Sequence, residues 1–158
     1  MQAEFINPFI VSFTTTFQTM LNQSVTRGKL ALSDSLDGLY EVNGVIGLSG
    51  NAVGTIVLSF QEQVALKAAS TLLLTEAVEL DEDVTDAVGE LTNMVAGAAK
   101  AKLDQYNLSI SLPNVIVGHQ IDVRFPSTVT PILVPFTCEW GEIRMQVGLA
   151  VKSCPINV

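Results

Sequence analysis

The stretch that decides the fold is Gly89-Glu90-Leu91-Thr92-Asn93-Met94-Val95-Ala96-Gly97-Ala98-Ala99-Lys100, whose periodicity predicts a long helix in the middle part of the chain. An α-helix turns by about 100° per residue, so residues three or four apart share a face. By this rule one side of the helix collects Val84, Val88, Leu91, Val95, Ala98 and Lys102. All but the last are apolar, and we expect this side to be buried.

The opposite side of the same helix is polar, and it brings together Asp86, Glu90, Asn93, Gly97 and Lys100. Glu90 and Asn93 are three residues apart and therefore point outward together. Glycine inside a helix is about 1 kcal/mol less favourable than alanine, so Gly89 and Gly97 indicate that another surface approaches closely. This pattern predicts a site in which the carboxylate of Glu90 and the carboxamide of Asn93 lie beside a notch left by the missing side chain of Gly97. The partner contacts predicted around this pair are Asp86, Gly89, Gly97 and Lys100.

A Glu-x-x-Asn spacing alone is a weak signal, because the exposed side of an ordinary helix is rich in such residues. The stretch Glu4-Phe5-Ile6-Asn7 shows the same spacing. Pro8 follows at once and disfavours helical angles at Asn7. We therefore expect Glu4 and Asn7 not to share a helical face, and we interpret this second match as chance.

Composition and charge narrow the class of protein. With 158 residues, 48% of them hydrophobic, the chain can bury a core as a single domain spanning residues 1–158. Its 16 acidic and 8 basic residues give a net charge of -8, which argues against nucleic acid or an anionic membrane as partner and is compatible with a basic protein surface. The first residues lack a secretory signal pattern, and no apolar run reaches membrane-spanning length. We expect a cytoplasmic protein.

The common kinds of catalytic equipment are sparse in this sequence. His119 is the only histidine and has no neighbours suited to a catalytic triad or a metal site. Cys138 and Cys154 lack metal-ligand spacing, and we expect both to be reduced. The acidic run from Glu76 to Asp86 lacks the alternation of a calcium loop, and we interpret it as favourable charge at a helix N-terminus. We expect no intrinsic metal or cofactor.

The remaining periodicities predict an α+β fold with three main helices, including a long central one, packed on an antiparallel sheet. Helices are expected over 4–22, over 61–74 and from the acidic run to about residue 106. We interpret Asn43-Gly44 and the segment 50–54 as tight turns. Strands are expected over 39–42, 45–48, 55–60, 108–112, 115–117, 121–125, 132–138 and 143–151, with a hairpin connection at 139–142.

The run Gly89-Glu90-x-x-Asn93-Met94-x-Ala96-Gly97, with the order of elements around it, resembles the CheX branch of the CheC/CheX/FliY family of chemotaxis phosphatases. The similarity extends over nearly the whole chain. It includes Ile6-Asn7-Pro8-Phe9-Ile10, the turn and strand at 50–60, the helix at 65–74 and Pro113-Asn114-Val115-Ile116-Val117-Gly118.

The resemblance implies an activity and two residue roles. Family members hydrolyse the acyl phosphate on the aspartate of the response regulator CheY, a receiver domain of two-component signalling. Carried over to this sequence, Glu90 would pair with the active-site lysine of the receiver, and Asn93 would place the attacking water. The resemblance also implies that Mg²⁺ belongs to the receiver.

The chain departs from the family pattern in two places. CheC-type members carry two Glu-x-x-Asn helices, whereas we count one here, which points to the single-site CheX arrangement and, by resemblance, to a homodimer joined through sheet edges. Ala98 stands where some relatives have Asn directly after the glycine that matches Gly97. Because Ala98 lies on the predicted core face, we expect this difference not to remove activity.

Two other functions fit the same sequence. The first is a non-catalytic receiver-binding or scaffold module related to flagellar switch proteins, which would use the same exposed groove and glycine notch. The second is a small-molecule sensor with a pocket between the helices and the sheet, for which the sequence offers only generic apolar content.

Overall fold

The computed structural model describes residues 3–32 and 38–152 of the chain. Three helices, α1 (Ala3–Leu21), α2 (Glu62–Leu73) and α3 (Glu82–Lys102), pack on an antiparallel sheet, which confirms the predicted α+β class. A short 3-10 helix at Asp104–Tyr106 follows α3. The strands are β1 (Thr26–Arg27), β2 (Ala31–Leu32), β3 (Val42–Ser49), β4 (Ala52–Phe60), β5 (Ser109–Ile110), β6 (Asn114–Val117), β7 (Ile132–Cys138) and β8 (Gly141–Val151).

The long strands form the centre of the sheet, and the short ones lie at its edges. The order is β1-β7-β8-β4-β3-β5, with β2 also paired to β7 and β6 also paired to β3. Hydrogen-bonded neighbours along β4 include Ile56 with Ile46 of β3 and Ile56 with Val147 of β8. Because alternate residues of a strand face opposite sides, these three side chains lie on one face, and all three are fully buried. The helices cover this face.

Helix α1 holds the aromatic part of the core. The ring of Phe13 stacks on Phe17 at 4.4 Å and on Phe136 of β7 at 4.1 Å between centroids. At the start of α1, the ring of Phe5 meets Tyr106, just beyond the end of α3, at 5.2 Å. The start of α1 therefore lies beside the 3-10 helix that follows α3.

The expectation that Pro8 removes Asn7 from a helix is wrong. Helix α1 begins at Ala3 and includes Pro8, so Glu4 and Asn7 are both helical, and both are exposed. Proline lacks one helical hydrogen bond, but Phe5 and Phe9 are buried on either side of it. Burying such large apolar side chains stabilises the fold by roughly 1.5–3 kcal/mol each, and this packing outweighs the local preference.

The predicted turn at Asn43-Gly44 is also wrong, because both residues lie inside the eight-residue strand β3. Asn43 is buried, and its Nδ2 donates to the backbone oxygen of Tyr40 at 2.9 Å. The reversal between β3 and β4 occurs at Gly50 and Asn51, where Gly50 has a φ of 131° that favours glycine. Gly54, the last residue of the predicted second turn, lies within β4.

The strand predicted at 121–125 is absent from the described residues. Ile121, Val123 and Phe125 are half-buried and alternate with exposed residues, as a strand would, but the segment has no strand partner. Instead it lies over the face of the sheet opposite the helices, where a methyl group added to Gly148 would lie 2.7 Å from Phe125 Cδ1. Alternating apolar residues indicate that one side of a segment is buried. This is true of a strand, and it is equally true of an irregular segment that lies over a sheet. In the predicted strand at 108–112, only Ser109–Ile110 pairs with β3.

Candidate functional site

The central helix begins where its charges predict. The backbone N–H of Val84 donates to Oδ1 of Asp81 at 3.0 Å, so Asp81 is the N-cap, and Glu82 and Asp83 occupy the first turn. The last turn carries Lys100 and Lys102. Acidic residues at the N-terminus and basic residues at the C-terminus both complement the helix dipole. The prediction that the acidic run caps this helix is confirmed.

Glu90 and Asn93 lie on the outer side of α3, as its periodicity predicts. Glu90 is exposed and Asn93 is half-buried, so their polar groups lie next to each other at the surface. Within residues 3–32 and 38–152, neither side chain has a hydrogen bond or an ion pair with the protein. The carboxylate and the carboxamide are therefore free to engage a partner and a water molecule.

The predicted partner contacts divide into two groups. Asp86 and Lys100 are exposed on the same side of the helix, and a methyl group at Gly97 would have no heavy atom within 4 Å. Gly89 is buried, with the position of its missing Cβ 3.4 Å from Val115 Cγ2 and 3.5 Å from Pro113 Cγ. The close approach at Gly89 is made by the β5–β6 side of the sheet, so we leave Gly89 out of the proposed partner surface.

The buried side of α3 is broader than the predicted stripe. Val84, Val88, Leu91 and Val95 are fully buried, as expected, and so are Thr92, Ala96 and Ala99. Ala98 is only half-buried and Lys102 is exposed, so the prediction that these two belong to the core is wrong. The helix packs against α1, α2 and the sheet, and these neighbours cover a wider arc than one stripe of residues.

Two structural features near the site were not predicted from the sequence. Leu112 is 87% exposed, and it directly precedes Pro113, which packs against Gly89 of α3. The second is a contact between Thr92, which precedes Asn93, and Gly44 of β3, where an added methyl group would lie 2.9 Å from Thr92 Cβ. The signal for the second was the glycine in an Asn-Gly pair, which favours a turn when only neighbouring residues are considered.

The other chemistry-bearing residues lie on elements other than α3. His119 is exposed in the irregular segment after β6, and the free thiol of Cys138 is half-buried in β7. Cys154 lies outside the described residues. Among the residues that the structure describes, no group of three or more His, Cys, Asp or Glu side chains could hold a metal ion. None of the described helices combines the length and apolar character needed to cross a membrane.

A polar cluster occupies the sheet face opposite the helices. The Tyr40 hydroxyl donates to Glu142 Oε2 at 2.5 Å, and the Arg144 guanidinium lies 4.7 Å from the centroid of the Tyr40 ring. Partial burial, followed by the hydrogen bond to Glu142, raises the pKa of Tyr40 to about 12. The cluster has a structural explanation and lies on the other side of the sheet from Glu90 and Asn93.

Comparison with known proteins assigns the family. A family model for the chemotaxis phosphatase CheX matches residues 42–137, which include Glu90, Asn93 and the strands beneath them. The chain belongs to the CheX family. Across 97% of its length it is 30% identical to the CheY-P phosphatase CheX of Thermotoga maritima, and the match covers 99% of that relative.

Solved structures of CheX proteins share the fold. The chemotaxis protein CheX of Vibrio vulnificus superposes with a TM-score of 0.87 at 30% identity, over 94% of this chain and 100% of that one. The CheX protein in a CheX–CheY–BeF3–Mg²⁺ complex from Borrelia burgdorferi superposes with a TM-score of 0.76 at 23% identity, over 94% and 99% of the two chains. The second likeness concerns the fold alone.

Proposed function

We propose that this member of the CheX family hydrolyses the phosphoaspartate of a CheY-type response regulator in chemotaxis signalling. The observation that carries the proposal is the outward pair of Glu90 and Asn93 on α3, with both side chains free of other hydrogen-bonding partners among the described residues. The name of the Thermotoga maritima relative, CheY-P phosphatase, supports the reaction. The Borrelia burgdorferi complex supports a receiver as partner.

The proposed mechanism requires few catalytic groups from this chain. A phosphoaspartate is an activated mixed anhydride, and positioning with electrostatic stabilisation supplies most of the catalysis of phosphoryl transfer. Asn93 would hold a water molecule in line with the phosphorus atom, through its amide oxygen or nitrogen. A carboxamide is not a strong base, so its contribution is orientation of the water. The water attacks phosphorus, the bond from phosphorus to the aspartyl oxygen breaks, and inorganic phosphate leaves.

Glu90 would anchor the helix to the receiver. Its carboxylate is one turn from Asn93 and can pair with the lysine at the receiver's active site, which fixes Asn93 relative to the phosphorus. Charge on the transferring group would be stabilised by that lysine and by Mg²⁺ held in the receiver. The presence of Mg²⁺ with CheY and BeF3 in the Borrelia burgdorferi complex supports this division of labour.

The test compares Asn93→Ala with Asn7→Ala, a matched control that this chain itself supplies. Both asparagines stand three residues after a glutamate on a helix, and both side chains reach the surface. With a host CheY-type receiver phosphorylated by acetyl phosphate, kcat for phosphate release should fall about a hundredfold in Asn93→Ala, the usual effect of losing one positioned contact. It should stay unchanged in Asn7→Ala.

Unchanged turnover in Asn93→Ala would reject the assigned role. The measurement also addresses the non-catalytic alternative, because a catalyst shortens the phosphorylated lifetime of the receiver at substoichiometric amounts. A scaffold module would act only at stoichiometric amounts, and prolonging that lifetime would favour it.

We further propose that the chain forms a homodimer through a sheet edge, in the cytoplasm where its receiver substrate would be found. Strand β6 is the favoured edge, because it is the longest of the described strands that pair with a single neighbour. Its Ile116 and Val117 side chains are 42% and 46% exposed. An unpaired edge with apolar side chains is suited to pairing with a second copy. Light scattering during size exclusion should give twice the 16.9 kDa chain mass.

A further inference from the structure

A tightly constrained contact lies directly beneath the candidate site. Gly44 lies in β3 between Leu58 of β4 and Val115 of β6, its partners in the antiparallel register. A methyl group at Gly44 would overlap Thr92 Oγ1 and lie 2.9 Å from Thr92 Cβ. Real Cβ atoms essentially never approach other heavy atoms this closely, so only glycine fits here without movement of the strand or the helix.

Thr92 cannot turn aside easily. Its side chain is fully buried, and its hydroxyl donates to the backbone oxygen of Val88 at 2.8 Å. A β-branched side chain in a helix has few allowed rotamers, and this hydrogen bond selects one of them. Contact with Gly44 is therefore transmitted to the backbone of α3.

The same strand pair also supports the other half of the site. Gly44 and Val115 are direct register partners, and Val115 Cγ2 lies against Gly89. Gly89 and Thr92 are three residues apart and share the inner edge of α3. Each immediately precedes a proposed catalytic residue, Glu90 in one case and Asn93 in the other. Gly44 and Val115 thus fix how closely the helical turn that carries Glu90 and Asn93 lies on the sheet, and how that turn is rotated.

We propose that Gly44 and Thr92 are positioning residues, whose contact sets how closely α3 lies on the sheet and thereby where Asn93 holds water. The inference rests on the proposed function, because it concerns the placement of Asn93 for that reaction. Neither residue needs to touch the receiver, since both are buried.

Gly44→Ala tests this placement. At Gly44 strand β3 is held by β4 on one side and β6 on the other, so α3 moves more readily than β3. A displacement on the order of 1 Å far from the reacting atoms can lower a rate about a hundredfold. We expect kcat to fall by about that factor while KM for the phosphorylated receiver changes by less than about threefold, because the exposed side of α3 remains intact.

Gly47→Ala is the matched control on the same strand. A methyl group there would lie 3.7 Å from Ser111 Oγ, an ordinary contact, so kcat should stay unchanged. Thr92→Gly, combined with Gly44→Ala, supplies the rescue, because it removes the atoms that the new methyl group would meet. The double variant should recover at least tenfold in kcat relative to Gly44→Ala, a non-additivity characteristic of residues in contact.

The outcomes separate this inference from the proposed function. If Asn93→Ala is inactive and folded Gly44→Ala keeps kcat within twofold, the positioning role is rejected and the proposed function stands. If Asn93→Ala keeps full activity, the proposed function itself fails. If Gly44→Ala does not fold, the double variant decides: it should fold and exceed Asn93→Ala in kcat. A folded double variant that binds the BeF3-treated receiver but is as slow as Asn93→Ala would overturn the inference.

Discussion

Substitutions at Gly97 separate effects on the stability of the chain from effects on partner binding. A methyl group at this position would meet no heavy atom within 4 Å, so the surrounding protein does not require glycine there. Gly97→Ala should raise the free energy of unfolding by up to about 1 kcal/mol, the difference in helix propensity. For a chain of this size that gain corresponds to an increase in Tm of about 2–4 °C. Because the surrounding protein does not require glycine there, we propose that the absence of a side chain at Gly97 leaves room for a partner.

Gly97→Leu extends the test to function. The leucine side chain would project from the same side of α3 as Glu90 and Asn93, into the space that the receiver is proposed to occupy. We expect KM to rise about tenfold, equivalent to about 1.4 kcal/mol of lost binding, with kcat within a factor of two. Steady-state phosphate release at varied receiver concentration measures both constants.

The control is Thr14→Leu, which adds apolar bulk at an exposed position of α1. Its KM should equal that of the unmodified chain. An unchanged KM in Gly97→Leu, or an equal rise in both variants, would refute the idea that the receiver docks over Gly97.

Two further predictions concern the elements that support the site. Asp81→Ala removes the N-cap of α3 and should lower the free energy of unfolding by about 1 kcal/mol, measured by urea denaturation, whereas Asp83→Ala in the same turn should have a smaller effect because Asp83 makes no capping bond. Tyr40→Phe removes the hydrogen bond to Glu142, worth about 1 kcal/mol. The folded pKa of Tyr40, about 12, lies above its unfolded value of 10.0, so this stabilisation is complete below the unfolded pKa and is lost as pH rises through the folded one. The stability difference between the unmodified chain and Tyr40→Phe should therefore be constant at neutral pH and shrink in alkali; a constant difference through that range would contradict the assignment.

The elements predicted best from the sequence are those whose own residues carry the determining interaction. The start of α3 follows from Asp81 and the acids behind it, which act within one turn. Strands β7 and β8 follow from the apolar run at 132–138, the alternation over 143–151 and the short connection between them. In both cases the local pattern and the tertiary structure favour the same result, which is typical of sequences that specify one fold.

The errors occur where distant residues decide the local structure. Pro8 remains helical because the phenylalanines around it are buried against the sheet and α3, and the segment 121–125 alternates without becoming a strand because it covers a sheet face. At Asn43-Gly44 the turn preference is overridden by pairing on both sides of β3. None of these contacts can be read from neighbouring residues.

These errors did not affect the predicted direction of Glu90 and Asn93, because the direction of the two side chains and their distance from the sheet have different origins. The outward direction of Glu90 and Asn93 depends only on helical periodicity, which the sequence shows directly. Their height above the sheet depends on the contact between Gly44 and Thr92, which joins segments far apart in the chain. Sequence periodicity can therefore identify which residues face a partner, whereas the accuracy with which Asn93 is held depends on a glycine that the sequence alone assigns to a turn. Substitutions at this strand position should therefore change catalysis without altering any residue that contacts the receiver.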